Sequence, residues 1–404
     1  MTPALKVHRA GTHRAISPDE TVRRALRLAP VMGITRVANV TGLDDVGVPV
    51  VTVSRPNSRS LAVTQGKGIS LDAAKASALM ESIEAYHAET ITLPLRYCSL
   101  EELCYTNRVV EVGRLPRVAT SSFHANMRIL WCDGRDLMSD ETVFVPYELV
   151  HSDCTWPQPP GSGCFAGSSN GLASGNHYLE AVSHGICEVV ERDSTTLWHL
   201  RRPADQQARS IDLSTVDDDD CTQVIARFER AGLRTIVWET TSDLEIASFL
   251  CVIFPAVDDP SRPLPPAAGA GCHPSRAIAL LRALTEAAQT RVVLIAGSRD
   301  DIGRDVYGPH RYAASVENLR HEPAGRRSFL DSPTWDADTL DADVEWELDR
   351  LRAGGIKRVV AIDLTKDFFK LPVVRVVIPG LEGVHEQPGF TPGRRALALA
   401  TARG

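Results

Sequence analysis

Residues 164–193, CFAGSSNGLASGNHYLEAVSHGICEVVERD, hold the densest set of groups able to do chemistry. Projected on a helix at about 100° per residue, Asn176, Glu180, His184, Glu188 and Glu191 fall within roughly one third of the circle. Leu179, Val182, Ile186, Val189 and Val190 take the opposite arc, as a core-facing stripe does. Like charges at this spacing destabilise a helix unless something neutralises them. A divalent cation is one answer, and a solvated acidic face is the plainer one. Residues 70–89, SLDAAKASALMESIEAYHAE, repeat the design. Ser77, Glu81 and Glu84 project within about 60° of one another, with Leu79, Ile83 and Tyr86 on the far side. Two E-x-x-E helices can bring four carboxylates together, and magnesium on a nucleotide takes a few carboxylates plus phosphate oxygens. A third helix, Ser275–Ile295, places Arg282, Glu286 and Gln289 opposite Leu280, Leu284 and Ala287, with Arg291 off that face. Such a set can touch a nucleotide or form an i,i+4 pair.

Each of the first two helices follows small residues. Gly167-Ser168-Ser169-Asn170-Gly171 precedes one. Gln65-Gly66-Lys67-Gly68 precedes the other and reads as a turn whose backbone N–H groups could face an anion. It is not a Walker A loop, because the spacing and the terminal Lys-Ser/Thr are missing. Near the start, Ser17 as N-cap, Pro18 at the first helical position and acidic Asp19 and Glu20 predict a helix to about Leu28. Strands are expected at 37–40, 48–54, 61–64, 129–132, 143–146, 234–239, 246–254, 356–364 and 373–378. The helix from 176 is expected to continue through 193–208. Asp217–Asp220 fronts a helix at 221–231, where the macrodipole favours acids. Residues 255–275, rich in Pro, Gly and Ala, read as a loop, and 299–345 read as polar and loop-rich. These patterns predict an α/β (α+β) fold, with mixed sheets flanked by the three helices.

The chain of 404 residues is long enough for one large domain, and a net charge of −7 supplies no field for nucleic acid. No apolar run reaches the length of a membrane span, and MTPALKVHRAGTHR lacks the apolar core of a signal peptide. A cytoplasmic location is therefore expected. The nine cysteines include no C-x-x-C pair, so reduced, mostly buried thiols are expected. Frequency alone makes a homodimer the default assembly.

Three motifs together carry a resemblance. S-x-x-x-E-x-x-E (Ser77, Glu81, Glu84), the run from Ser168 to Asp193 and E-A-x-Q-x-R (Glu286 to Arg291) resemble the YcaO family over about residues 10–390. The resemblance implies a single YcaO domain over 1–404. Within it lie an N-terminal nucleotide-contact segment (10–60), an ATP/Mg core (61–300) and C-terminal strands and tail (301–404). It implies ATP and Mg2+ as cofactors, with Glu81, Glu84, Glu188 and Glu191 as magnesium ligands. It also implies Arg14, Thr21, Ser77, Asn176, Glu180 and Arg192 around the nucleotide, with Arg282, Glu286 and Gln289 matching more loosely. Glu191 and Arg192 become the expected catalytic pair, stabilising charge that moves onto phosphate.

The activity implied is phosphorylation of a backbone amide in a ribosomal precursor peptide. The attacking nucleophile decides the product. A Cys, Ser or Thr side chain gives an azoline, and an external sulfide gives a thioamide. The pattern GTHRAISPDET…GITRVANVTGLDDVGVPV is similar to stand-alone members encoded with a TfuA partner, and the tail TPGRRALALATARG lacks the P-x-P-x-P of azoline-forming members. Thioamide formation, with a precursor peptide, a TfuA-like protein and a sulfide donor as partners, is therefore expected. An azoline-forming cyclodehydratase and a non-catalytic ATP-binding scaffold are the alternatives.

Overall fold

The computed structural model describes residues 3–257, 264–299, 301–307, 319–322 and 325–401. Helix α1 (Pro18–Leu28) begins after Ser17 as expected, with Asp19 and Glu20 in its first turn. Strands β1 (Arg36–Asn39), β2 (Val50–Ser54) and β3 (Val63–Lys67) then form an antiparallel meander. Helix α2 (Leu71–Glu89) follows, capped by Ser70, whose side chain accepts from the Ala73 N–H. The expected glycine turn at 65–68 is corrected here: Gln65, Gly66 and Lys67 belong to β3. Gly66 serves helix packing, since a Cβ there would lie 2.0 Å from the Ala78 nitrogen of α2.

The middle of the chain supplies β4 (Arg96–Cys98), α3 (Leu100–Cys104), β5 (Ile129–Asp136) and β6 (Glu141–Pro146). A three-residue strand that the sequence did not reveal, β7 (Leu172–Ser174), leads into α4 (Tyr178–His199). Asn176 therefore precedes the helix instead of lying on it, and His177 is the N-cap. Nor does one helix run through 193–208: α4 ends at His199, and a short α5 (Pro203–Gln207) and β8 (Ile211–Asp212) follow.

The next unit repeats the design of the first. Helix α6 (Asp219–Arg230), capped by Asp218, precedes β9 (Leu233–Glu239), β10 (Ser248–Pro255) and β11 (Ala267–Cys272), again an antiparallel meander. Helix α7 (Arg276–Ala296) closes it. The expected loop at 255–275 thus holds a strand. Its composition is explained by α7: Cβ atoms at Gly269 and Gly271 would lie 2.3 Å from the Ala287 nitrogen and 2.1 Å from the Ala279 oxygen. The internal likeness therefore relates α1-β1-β2-β3-α2 to α6-β9-β10-β11-α7, rather than the two E-x-x-E helices to each other.

Beyond it come β12 (Arg327–Ser328), α8 (Leu340–Ala353), β13 (Val360–Asp363), β14 (Val373–Val377) and α9 (Arg394–Thr401). The segment 299–345, expected to be loops, contributes the start of α8; its residues 300, 308–318 and 323–324 lie outside the described residues. One sheet runs in the order β4-β5-β13-β14-β7, with β6 also on β5, while β8 and β12 form a small parallel pair. Three large apolar clusters divide the interior. One contains Leu79 and Ile83 of α2, one Leu280 and Leu284 of α7, and one Val182, Ile186 and Val190 of α4. Among the described residues no helix is long and apolar enough to cross a membrane.

Candidate active site

Helix α4 owes its position to what precedes it. Gly171 (φ +80°) lies where a Cβ would come 2.2 Å from the Val376 carbonyl oxygen, so the chain can cross β14 only with glycine. Strand β7 then pairs with β14, and Asn176 turns the chain into α4. Glu180, in the first turn, gathers the predicted nucleotide residues. Its Oε1 accepts from the Asn176 N–H (3.2 Å) and Nδ2 (3.3 Å), and its Oε2 accepts from the Ala15 N–H (2.8 Å). Arg14 Nε stands 3.5 Å from Glu180 Oε1. The Thr21 hydroxyl lies 3.3 Å from Asn176 Oδ1 and 3.0 Å from the Ser17 carbonyl. Arg14, Thr21, Asn176 and Glu180 thus form one connected group. Burial lowers the Arg14 pKa from its ordinary value, with Glu180 opposing.

The carboxylates form a second group deeper along α2 and α4. Ser174 donates to Glu84 Oε1 from both its backbone N–H (2.8 Å) and its hydroxyl (2.6 Å). Burial pushes Glu84 up to about 8, with the Ser174 bonds opposing and Glu81 and Glu188 adding repulsion. Burial likewise pushes Glu188 up to about 7; Arg192 and Arg375 oppose it, and Glu191 and Glu286 add to it. Glu81 is raised to about 7, although its side chain touches solvent, because protein mass surrounds it and Lys67 only partly compensates. Burial raises Glu191 as well, against Arg192, whose Nη1 is 3.6 Å from Glu191 Oε1. For Arg192 burial acts downward, but Glu191, Glu286 and Glu188 outweigh it and hold the guanidinium above its ordinary value.

These groups fit a hard divalent cation. Four oxygen-donor side chains are held where negative charge is penalised, the surroundings a magnesium ion on a polyphosphate relieves. Among the described residues no three His, Cys, Asp or Glu side chains enclose a single ion. A bound ion would therefore keep water and phosphate oxygens beside one or two carboxylates.

Helix α7 brings Glu286 to the same cleft. Lys67 Nζ stands 2.5 Å from Glu286 Oε2. Burial works against the Glu286 charge, yet Lys67 and Arg192 outweigh it and hold its pKa below the usual carboxylate value. Arg282 donates to the Cys272 carbonyl (3.1 Å) and lines a narrow cleft, partly open to solvent, with Arg14, Glu180 and His184. Burial, reinforced by Arg282 and Arg14, drives His184 well below its ordinary value and keeps it neutral. Ser77 is half-buried one turn ahead of Glu81, and Gln289 is half-buried one turn beyond Glu286. Among the described residues no side-chain hydrogen bond ties either to the other candidates. Arg291 instead clamps Asp44 at 2.9 Å. Lys67, Ser174 and Arg375 were missed by sequence reasoning. Only Lys67 carried a signal, as a cation just ahead of an E-x-x-E helix.

Comparison with known proteins places the chain in a family. The family model described as YcaO cyclodehydratase, ATP- and Mg2+-binding, matches residues 65–382. A protein of Rhizobium leguminosarum bv. trifolii, encoded in the region 3′ of tfuA, is 37% identical over 377 residues, 91% of this chain and 88% of that protein. An uncharacterised protein of Methanothermobacter thermautotrophicus is 33% identical over 93% of this chain and 96% of its own. In fold, the chain is similar to YcaO from Methanopyrus kandleri bound with AMPPCP and Mg2+ (TM-score 0.75, 23% identity, 97% of this chain, 99% of that one). It is also similar to a heterocyclase in complex with substrate and cofactor (TM-score 0.78, 24% identity), covering 98% of this chain but only 55% of the heterocyclase. The chain belongs to the YcaO family, whose members bind ATP and Mg2+, and within it stands close to a protein encoded beside tfuA.

Proposed function

We propose that this protein activates a backbone amide of a ribosomal precursor peptide with ATP and Mg2+ and converts it to a thioamide, with a TfuA-like protein and a sulfide donor. The observation that carries the thioamide reading is the relative encoded beside tfuA, alike over nine tenths of this chain. The convergence of Glu81, Glu84, Glu188, Glu191, Arg192 and Glu286 supports the ATP-dependent part.

In this reading hydrosulfide adds to the carbonyl carbon, the carbonyl oxygen takes the γ-phosphoryl group of ATP, and phosphate leaves as hydrogen phosphate, taking the S–H proton, as the C=S bond forms. The amide oxygen ends on phosphate, and ADP is the other product. Hydrosulfide already carries the charge with which it attacks, so addition needs no side-chain base. Magnesium, when bound, supplies charge neutralisation on the polyphosphate. Glu81 and Glu84 from α2 and Glu188 and Glu191 from α4 would supply the carboxylates, one or two of them to any single ion. Arg192 faces the oxygens that gain charge, and its contacts with Glu191 hold the guanidinium ready. Arg14, Thr21, Asn176 and Glu180 fix the nucleoside end, and Ser77, Arg282, Glu286 and Gln289 line the remainder. Orienting peptide, sulfide and nucleotide together lowers the barrier chiefly through entropy.

The test is the intact mass of a candidate precursor peptide after incubation with this protein, the TfuA-like protein, ATP, magnesium and sulfide. The expected result is the exchange of one oxygen for one sulfur, abolished by Glu191→Gln. Loss of one water instead moves the product to an azoline. An unchanged peptide in the presence of bound nucleotide leaves a scaffold.

A further inference from the structure

Arg375 is fully buried on β14, and among the described residues no carboxylate lies within ion-pair distance of it. Burying an arginine without a direct counter-ion costs several kcal/mol unless its donors are met. Here they are met by backbone carbonyls: Ser168 O accepts from Nη2 (2.6 Å), Asn170 O from Nη1 (2.8 Å) and Val150 O from Nε (3.2 Å). Two of these acceptors belong to the loop just before β7. That strand has three residues and lies at the edge of its sheet, paired through Arg375↔Leu172, Val374↔Ala173 and Val373↔Ser174. Three residues supply few ladder bonds, so the register of this strand rests on what flanks it, Gly171 at the β14 crossing and the carbonyls held by Arg375. A slip of one residue turns every side chain to the other face. The side chain with most to lose is Ser174, whose hydroxyl and N–H both hold Glu84.

We infer that Arg375 is a positioning residue that pins the register of β7, and so aims Ser174 at Glu84 and sets the Mg2+-dependent part of nucleotide binding. The planar fork of arginine spans two carbonyls at once, at residues 168 and 170. That geometry fixes where the loop ends and the strand begins. Lysine keeps the charge, but its three N–H donors diverge from a single nitrogen on a flexible stem and lack the two-nitrogen fork that spans both carbonyls. The inference rests on the four glutamates binding magnesium, not on the identity of the product.

Calorimetry with a non-hydrolysable ATP analogue, with and without Mg2+, tests it on Arg375→Lys, Ser174→Ala and the double variant. The expected result is that each single change weakens Mg2+-dependent binding by about tenfold, the scale of one charge-assisted hydrogen bond. Binding without metal should stay unchanged. The double variant should be no weaker than the weaker single, because both act on one contact. Multiplying losses in the double variant, or equal losses with and without metal, overturn the inference. Should Arg375→Lys fail to fold, hydrogen exchange on the unmodified protein decides. Protection of residues 168–170 should rise together with that of 172–174 when Mg2+ and the analogue bind, and an unchanged 168–170 segment overturns it.

Discussion

Glu81, Glu84 and Glu188 hold protons in the folded chain that they shed near pH 4.5 when unfolded, because burial lifts them to about 7, 8 and 7. The folded state therefore binds more protons over that interval, and the stability of the metal-free protein falls as pH rises from about 4.5 through about 8. The contribution of Glu81 is the smaller one, since water reaches it. Magnesium needs the charged forms, so its affinity should climb between about pH 6 and about pH 8 with release of protons. Calorimetry in two buffers of different ionisation heat checks this, and a metal-free protein that melts higher at pH 8 than at pH 6 contradicts it. A second expectation concerns Glu286→Gln, which frees Lys67 beside Glu81. Mg2+-dependent ATP hydrolysis should drop by about a hundredfold, with the melting temperature nearly unchanged. The gathering of the four glutamates proposed for the metal was readable from the sequence because i,i+3 spacing on an amphipathic helix is a local signal. Lys67, Ser174 and Arg375 act on partners 219, 90 and 207 residues away, and no local pattern encodes such contacts.

Among elements, the strongest constraint is the close approach of strand to helix in both three-stranded units. β3 lies against α2 through Gly66, and β11 against α7 through Gly269 and Gly271. Gly66→Ala and Gly269→Ala should each cost more than about 3 kcal/mol, since the new methyl meets backbone that cannot yield. Gly113→Ala, with open space around its Cβ, should stay within about 0.5 kcal/mol. Thermal or denaturant melts of the three variants check the contrast. The same feature explains why β11 reads as a loop: AAGAGC has no β-branched residue, because the helix occupies the room such side chains would need. α8 was hidden differently. Its apolar positions Leu340, Val344, Leu348 and Leu351 do recur at helical spacing, but they are set among charged residues, and Asp343 and Glu347 share the buried face, so the stretch reads as polar. α2 and α7, by contrast, show long apolar stripes and were found nearly to their ends, whereas α4 was placed nearly correctly at its start but carried too far, past its end at His199.

For the whole molecule, the site is the junction of three separate apolar clusters, one behind each of α2, α4 and α7. A ligand gripping all three should make them melt together. Scanning calorimetry should show a broad transition for the free protein and a narrower one with Mg2+ and analogue. At a hundredfold excess over Kd the added stability is about 2.7 kcal/mol. Equal widths in the two states count against the junction. The last turns of α4 are also bolted from far along the chain: fully buried Asp193 accepts from the Glu382 N–H and from Arg395 Nε, both at 2.9 Å. Glu382 in turn accepts from Gly393 N and Ala396 N at the start of α9. The 202 residues between Asp193 and Arg395 take about 10–40 s to synthesise at about 5–20 residues per second. Through that interval Asp193 has to remain hydrated, and the neighbouring Arg192 stays unpacked with it. Strand β7, which leads into the other end of α4, likewise waits for β14. Both ends of this helix are therefore among the last parts of the molecule to mature, and a nascent chain still on the ribosome is not expected to spend ATP.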